Sequence, residues 1–147
     1  MTSRDRLVKI TATFLGVGYA GRAPGTAGSF AGLALAWWSG PYSPAVLLVF
    51  LALGFLVCKP AARVFSSNDP RCFVMDEVCG MMIAVFLLPP KFFLYLAGFI
   101  LFRLLDIFKP WPISVIQRSP HPWAIMGDDL LAGVMANLLL HGYLLLR

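Results

Sequence analysis

The stretch Phe102–Pro110, "FRLLDIFKP", decides how this chain is read. Arg103, Asp106 and Lys109 recur every third residue at the end of one of the most apolar segments in the sequence. On a helix that spacing keeps all three charges near one face. Pro110 and Pro112 then stop the helix, because proline lacks the backbone donor and clashes with the preceding turn. Burying such charges unpaired is costly. The stretch therefore reads as the end of a membrane helix, where charges meet water. Charges at such an end can simply snorkel to the interface, or they can form one wall of a site.

The rest of the sequence supports a membrane setting. Its mean hydropathy is +0.79 and only 13% of its residues are charged, against about 25% in ordinary soluble proteins. The 147 residues suit a single domain, 1–147. Net charge is +5, but the basic residues are scattered and form no solvated basic face, which argues against a nucleic-acid partner. Cys58, Cys72 and Cys79 are odd in number and lie in or beside apolar segments, so they read as free thiols and not as a disulfide frame. Arg4, Arg6 and Lys9 followed by the apolar run 10–20 imitate a signal peptide. More apolar segments follow in place of a hydrophilic domain, so the run is expected to stay with the protein.

Proline-, glycine- and serine-rich breakers at 39–44, 66–71, 88–91 and 117–123 leave apolar stretches at about 26–39, 44–63, 71–89, 91–109 and 127–146. A membrane span needs about 20 helical residues. Most of these stretches reach that length only if charged residues at one end are included, and 26–39 is short even so. With five passes, the N-terminus through Ser29, the loop 59–77 and the loop 103–129 share one side. That side holds ten of the twelve Lys and Arg residues and all seven acids. The positive-inside rule assigns it to the cytoplasm.

The acids themselves are grouped. Asp76 and Glu77 stand at the start of one apolar stretch, and Asp128 and Asp129 at the start of another. Acids in a first helical turn complement the helix dipole, which explains one such pair better than it explains several. Five carboxylates meeting at one membrane face would repel each other unless a cation sat among them. Oxygen ligands of this kind suit Mg2+. With His only at 121 and 141, an imidazole zinc site has less support. The turn Gly21–Ser29, "GRAPGTAGS", permits close backbone approach to a ligand, with Thr26 or Ser29 as a cap for the helix after it. Together these parts suggest a phosphate site at a membrane surface, with Arg22, Arg103 and Lys109 facing phosphate oxygens.

Taken in order, four elements resemble the phosphatidylglycerophosphatase A family. They are the Pro-Gly-Thr-x-Gly-Ser turn at 24–29, Asp76-Glu77-x-x-Gly80, the Phe102–Ile113 element containing Arg103, Asp106 and Lys109, and Ile125–Gly133 with Asp128 and Asp129. Where relatives often carry glycines after the loop histidine, this chain has Pro122 and Trp123. The resemblance implies an all-helical, Mg2+-dependent phosphatase of the bacterial inner membrane. Its substrate would be phosphatidylglycerophosphate, and its products phosphatidylglycerol and phosphate. The expected architecture is a compact all-α membrane bundle of four or five membrane helices plus an interfacial N-terminal segment.

Asp76, Glu77, Asp106, Asp128 and Asp129 form the expected pool of metal ligands and catalytic carboxylates. Arg103 and Lys109, with Arg22, Gly25, Thr26 and Ser29, form the expected substrate-binding set. Metal-assisted attack of water and an aspartyl-phosphate intermediate are both compatible with these residues. A cysteine phosphatase is not, because Cys58 and Arg63 have only four residues between them where five are needed. Two alternatives stand beside this reading. One is the same chemistry on another phosphorylated lipid or soluble ester. The other is a small membrane carrier, whose acids would line a path through the bilayer instead of gathering at one face.

Overall fold

The computed structural model describes residues 2–67 and 70–146; Asp69 and Arg147 lie outside them. Seven α-helices follow one another: α1 Ser3–Ala12, α2 Pro24–Ser39, α3 Ser43–Val64, α4 Met75–Ala84, α5 Phe92–Phe108, α6 Ile113–Gln117 and α7 Ala124–Leu145. There is no strand among the described residues. The expectation of an all-α protein is met.

The centre of the molecule is α4. Met75, Val78, Cys79, Met81, Met82 and Ala84 are all at most 1% exposed, and only Glu77 and Ile83 of this helix are partly exposed. It packs chiefly against α7 and α2, and also against α3 and α5. Small residues make this enclosure possible. A Cβ on Gly80 would stand 2.7 Å from the Asp129 carbonyl, and one on Gly133 would collide with the Gly80 carbonyl. The backbones of α4 and α7 thus touch where two glycines meet, a contact any side chain would prop open. On the other side, Gly28 and Gly32 of α2 lie against Val74 and Val78. Methionines 75, 81, 82 and 126 fill the irregular space between the helices, a task suited to an unbranched, flexible side chain. Asn137 of α7 donates to the carbonyls of Ala84 and Phe86, satisfying acceptors that the end of α4 leaves open.

The membrane layout expected from the sequence is met only in part. At ten residues α4 is about 15 Å long, half the thickness of a bilayer core. The apolar stretch 71–89 is therefore not one crossing: the helix starts only at Met75, and Leu87, in the left-handed region (φ 58°), and two prolines follow its end. In α5, 17 residues give about 26 Å. Two helical stretches among the described residues are long and apolar enough to cross a membrane: Pro24–Val64 and Ala124–Leu145. The first is interrupted at Gly40, whose positive φ lets the chain leave α2 before Pro41. Only 22% of its most apolar window is buried, so most of that greasy surface faces outward.

At the N-terminus, Thr2 and Asp5 form a capping box on α1, and Val8 and Ala12 bury its inner side. Leu7 and Ile10 stay exposed. The apolar run that imitates a signal peptide is woven into the fold, since Val74 N–H donates to the Ala12 carbonyl at 2.9 Å.

Candidate active site

One cavity of about 620 Å³ gathers the residues singled out in the sequence. Asp76, Glu77, Asp106, Asp128 and Asp129 line it, as do Arg22, Gly25, Thr26, Arg103 and Lys109. Ser29 does not. It is fully buried one layer behind the wall, where its hydroxyl donates to the Gly25 carbonyl and accepts from Arg103 Nη1 at 3.4 Å. Neither Thr26 nor Ser29 caps α2: the helix begins at Pro24 and has no side-chain cap. Proline at the first position suits a helix start because its missing N–H would be unpaired there anyway.

Helix crossing explains how the acids meet. Asp76 precedes Gly80 by four residues, and Asp129 precedes Gly133 by four. One turn before the glycine contact, each helix therefore presents a carboxylate on the touching face. Glu77 follows from α4, and one oxygen from each of Asp76, Glu77 and Asp129 can be chosen so that all three lie within 4.8 Å of one another. Asp76 and Asp129 are 7% and 4% exposed. Glu77 Oε2 is buried with no hydrogen-bond partner. Neither Asp76 nor Glu77 has a Lys or Arg nitrogen within 4.0 Å among the described residues. Three clustered carboxylates, one with an orphaned oxygen, have among the described residues only the Lys109 ammonium, 3.9 Å from Asp129, to offset the cost of such burial. The donor set fits a hard divalent cation.

The other two carboxylates are already engaged. Asp106 lies 2.5 Å from Arg103 Nη1 and 3.6 Å from Lys109 Nζ. Lys109 also bonds to Asp128 and approaches Asp129 Oδ1 at 3.9 Å. The five-carboxylate pool of the sequence reading thus divides into a cation-poor trio and an ion-paired duo. Burial alone would lower the Lys109 pKa, but its bond to Asp128 and the charges of Asp129, Asp128 and Asp106 outweigh this and hold it above the usual lysine value. Lys109 stays protonated throughout the neutral range. Its backbone is left-handed (φ 43°) and ends α5, which turns the side chain's root out of the helix just before Pro110.

Asp128 and Asp129 stand in the second turn of α7, which begins at Ala124 and has no acid in its first turn. The dipole explanation, which suits Asp76 and Glu77 in the first turn of α4, does not cover them. Gly25 has a packing reason: a Cβ there would come within 2.6 Å of Glu77 Oε1 and 3.3 Å of Arg103 Nη1. Arg71, Gln117, Ser119 and His121 also line the cavity and were not singled out from the sequence as site residues. His121 stacks on Trp123 (6.0 Å between ring centroids, 10° between planes). Nothing in their local spacing marks them; only folding brings their loops to the cavity.

Comparison with known proteins identifies the family. The sequence profile of the family described as phosphatidylglycerophosphatase A matches residues 10–144. The chain is 34% identical over 134 residues to phosphatidylglycerophosphatase A of Escherichia coli (strain K12), covering 86% of this chain and 77% of that protein. It is 33% identical over 151 residues to the Haemophilus influenzae protein of the same name, covering 92% and 93%. A Bacteroides thetaiotaomicron protein, whose name proposes phosphatidylinositol-3-phosphatase activity, is 30% identical over 141 residues, covering 87% of each. No solved structure matches the chain. With the profile running through every helix that contributes a carboxylate to the cavity, the chain is a phosphatase and belongs to the phosphatidylglycerophosphatase A family.

Proposed function

We propose that the chain hydrolyses the terminal phosphomonoester of phosphatidylglycerophosphate to phosphatidylglycerol and phosphate, with Mg2+ held by Asp76, Glu77 and Asp129. The observation that carries this reading is the carboxylate trio with its orphaned Glu77 oxygen, set beside Arg103 and Lys109 in one cavity. When bound there, the ion supplies Lewis acidity, offsetting phosphoryl charge and lowering the pKa of water. The chain's own residues do the rest. Arg103 and Lys109 offer cationic donors to phosphoryl oxygens, and their carboxylate partners keep them in place. Ser29 holds Arg103 from behind. Asp128 and Asp106 release part of their hold on Lys109 as phosphate enters.

The cavity sits among the segments that the charge pattern assigns to the cytoplasm, 22–26, 62–77 and 103–129. The outward apolar surfaces of Pro24–Val64 and Ala124–Leu145 suit lipid contact. The proposed setting is the bacterial inner membrane, with the cavity at its cytoplasmic face and the short α4 enclosed by longer helices. The carrier alternative called for acids along a path, and clustering in one cavity counts against it.

The deciding experiment is phosphate release from purified protein supplied with phosphatidylglycerophosphate in detergent. Release with Mg2+, its loss in chelator and its return on adding Mg2+ is the expected result. Release that persists in chelator would sink the metal reading. Release only from a phosphoinositide would move the substrate toward that named for the Bacteroides relative.

Lys109→Ala should lower kcat/KM about 100-fold, the scale of losing one preorganised electrostatic group. Steady-state kinetics on protein that elutes as wild type checks it. An unchanged kcat/KM would return Lys109 to an interfacial, snorkelling role.

A further inference from the structure

The site just described accounts for one phosphate, yet its cavity of about 620 Å³ falls in the range of drug-sized ligand pockets. Two further cations line it. Arg22 comes from the turn before α2, and Arg71 from the segment before α4. Both are exposed, and neither has a carboxylate within 4.0 Å among the described residues. Arg103 and Lys109 differ on both counts, being mostly buried and ion-paired.

Arg22 and Arg71 are brought to the same edge by the backbone. Gly18 is buried against Cys72, where an added Cβ would collide with the Cys72 carbonyl. The 3-10 turn Val17–Tyr19 and the segment around Arg71 are thus in direct contact. The Val74 N–H bond to the Ala12 carbonyl fixes the same pair of segments a little further along. The cavity therefore has a buried floor of acids and paired cations, and an outer edge with exposed arginines.

A substrate with two phosphates, one a terminal monoester and one a diester nearer the acyl chains, matches that gradient. We infer that Arg71, with Arg22, binds the diester phosphate at the cavity mouth while the monoester occupies the floor. This rests on the phosphatase reading above and names what selects its substrate: a second anionic group, one glycerol away from the bond that breaks. Exposed arginines with no carboxylate within 4.0 Å among the described residues suit this role, because binding a phosphate there does not first require breaking one of the ion pairs of the floor.

The test is a KM-against-kcat split on phosphatidylglycerophosphate in mixed micelles, with intact wild-type protein as reference. Arg71→Ala should raise KM at least 10-fold while kcat falls no more than about threefold, the pattern of lost uniform binding. Arg71→Lys should recover much of that KM, since charge is retained. Added salt should raise the wild-type KM more steeply than that of the alanine variant. An unchanged KM in Arg71→Ala overturns the inference. A fall in kcat at constant KM, or no recovery with lysine, also overturns it by making Arg71 a structural residue. If wild-type protein releases no phosphate from this lipid at all, the substrate reading proposed above falls first, and this inference with it.

Discussion

Asp129→Asn leaves a folded protein with about a thousandfold less activity. The substitution keeps the shape of the side chain and removes the charge contributed by α7 to the trio with Asp76 and Glu77. A loss of that size is at the upper end for a single preorganised electrostatic group, and it is expected here because Asp129 is shared by two sets of partners. It belongs to the carboxylate trio and also lies 3.9 Å from Lys109. Phosphate release at saturating Mg2+, with helicity and elution volume compared with wild type, checks the prediction. Activity within tenfold of wild type would remove Asp129 from the proposed metal set.

Gly133→Ala should damage activity almost as severely by a different route. The added methyl would overlap the Gly80 carbonyl, a backbone atom that no rotamer change can move aside. α4 and α7 must part, and overpacking of this kind costs about 1–3 kcal/mol. Asp76 and Asp129 each hang one turn from that contact, so the separation passes directly into the gap between them. A displacement near 1 Å in a positioned site can cost about 100-fold in rate. The expected result is a lower melting temperature in detergent together with a fall in kcat of about that size. Normal kcat with a lowered melting temperature would show that the crossing holds the bundle but does not set the site.

These two variants also mark what a linear reading could and could not reach. Arg103, Asp106 and Lys109 were readable because helical spacing and an apolar flank make three charges conspicuous, and the structure links them as one chain of ion pairs. The acidic pairs stood out for the same reason. Their division of labour was not readable, since it depends on Lys109 leaving α5 in a left-handed turn toward Asp128. Nor was the length of α4. Composition makes 71–89 look like a span, whereas the residues that stop the helix, around Leu87, act through backbone conformation and surroundings. Thr26 and Ser29 have the right chemistry for caps, but Pro24 starts the helix earlier. Arg71 is the one basic residue of its loop and becomes conspicuous only when folding brings it to the same cavity as Arg22.

The near-complete burial of α4 carries a consequence for biosynthesis. A ten-residue helix with Asp76 and Glu77 in its first turn is too short and too charged to be left in lipid as an independent segment. Its enclosure depends on α7, which follows it by three helices in the chain and also supplies Asp128 and Asp129. Until α7 is made, the nascent chain has two of the trio's three carboxylates and an unshielded centre. Activity therefore arrives only once α7 is in place, and a chain truncated before α7 has no partly working form.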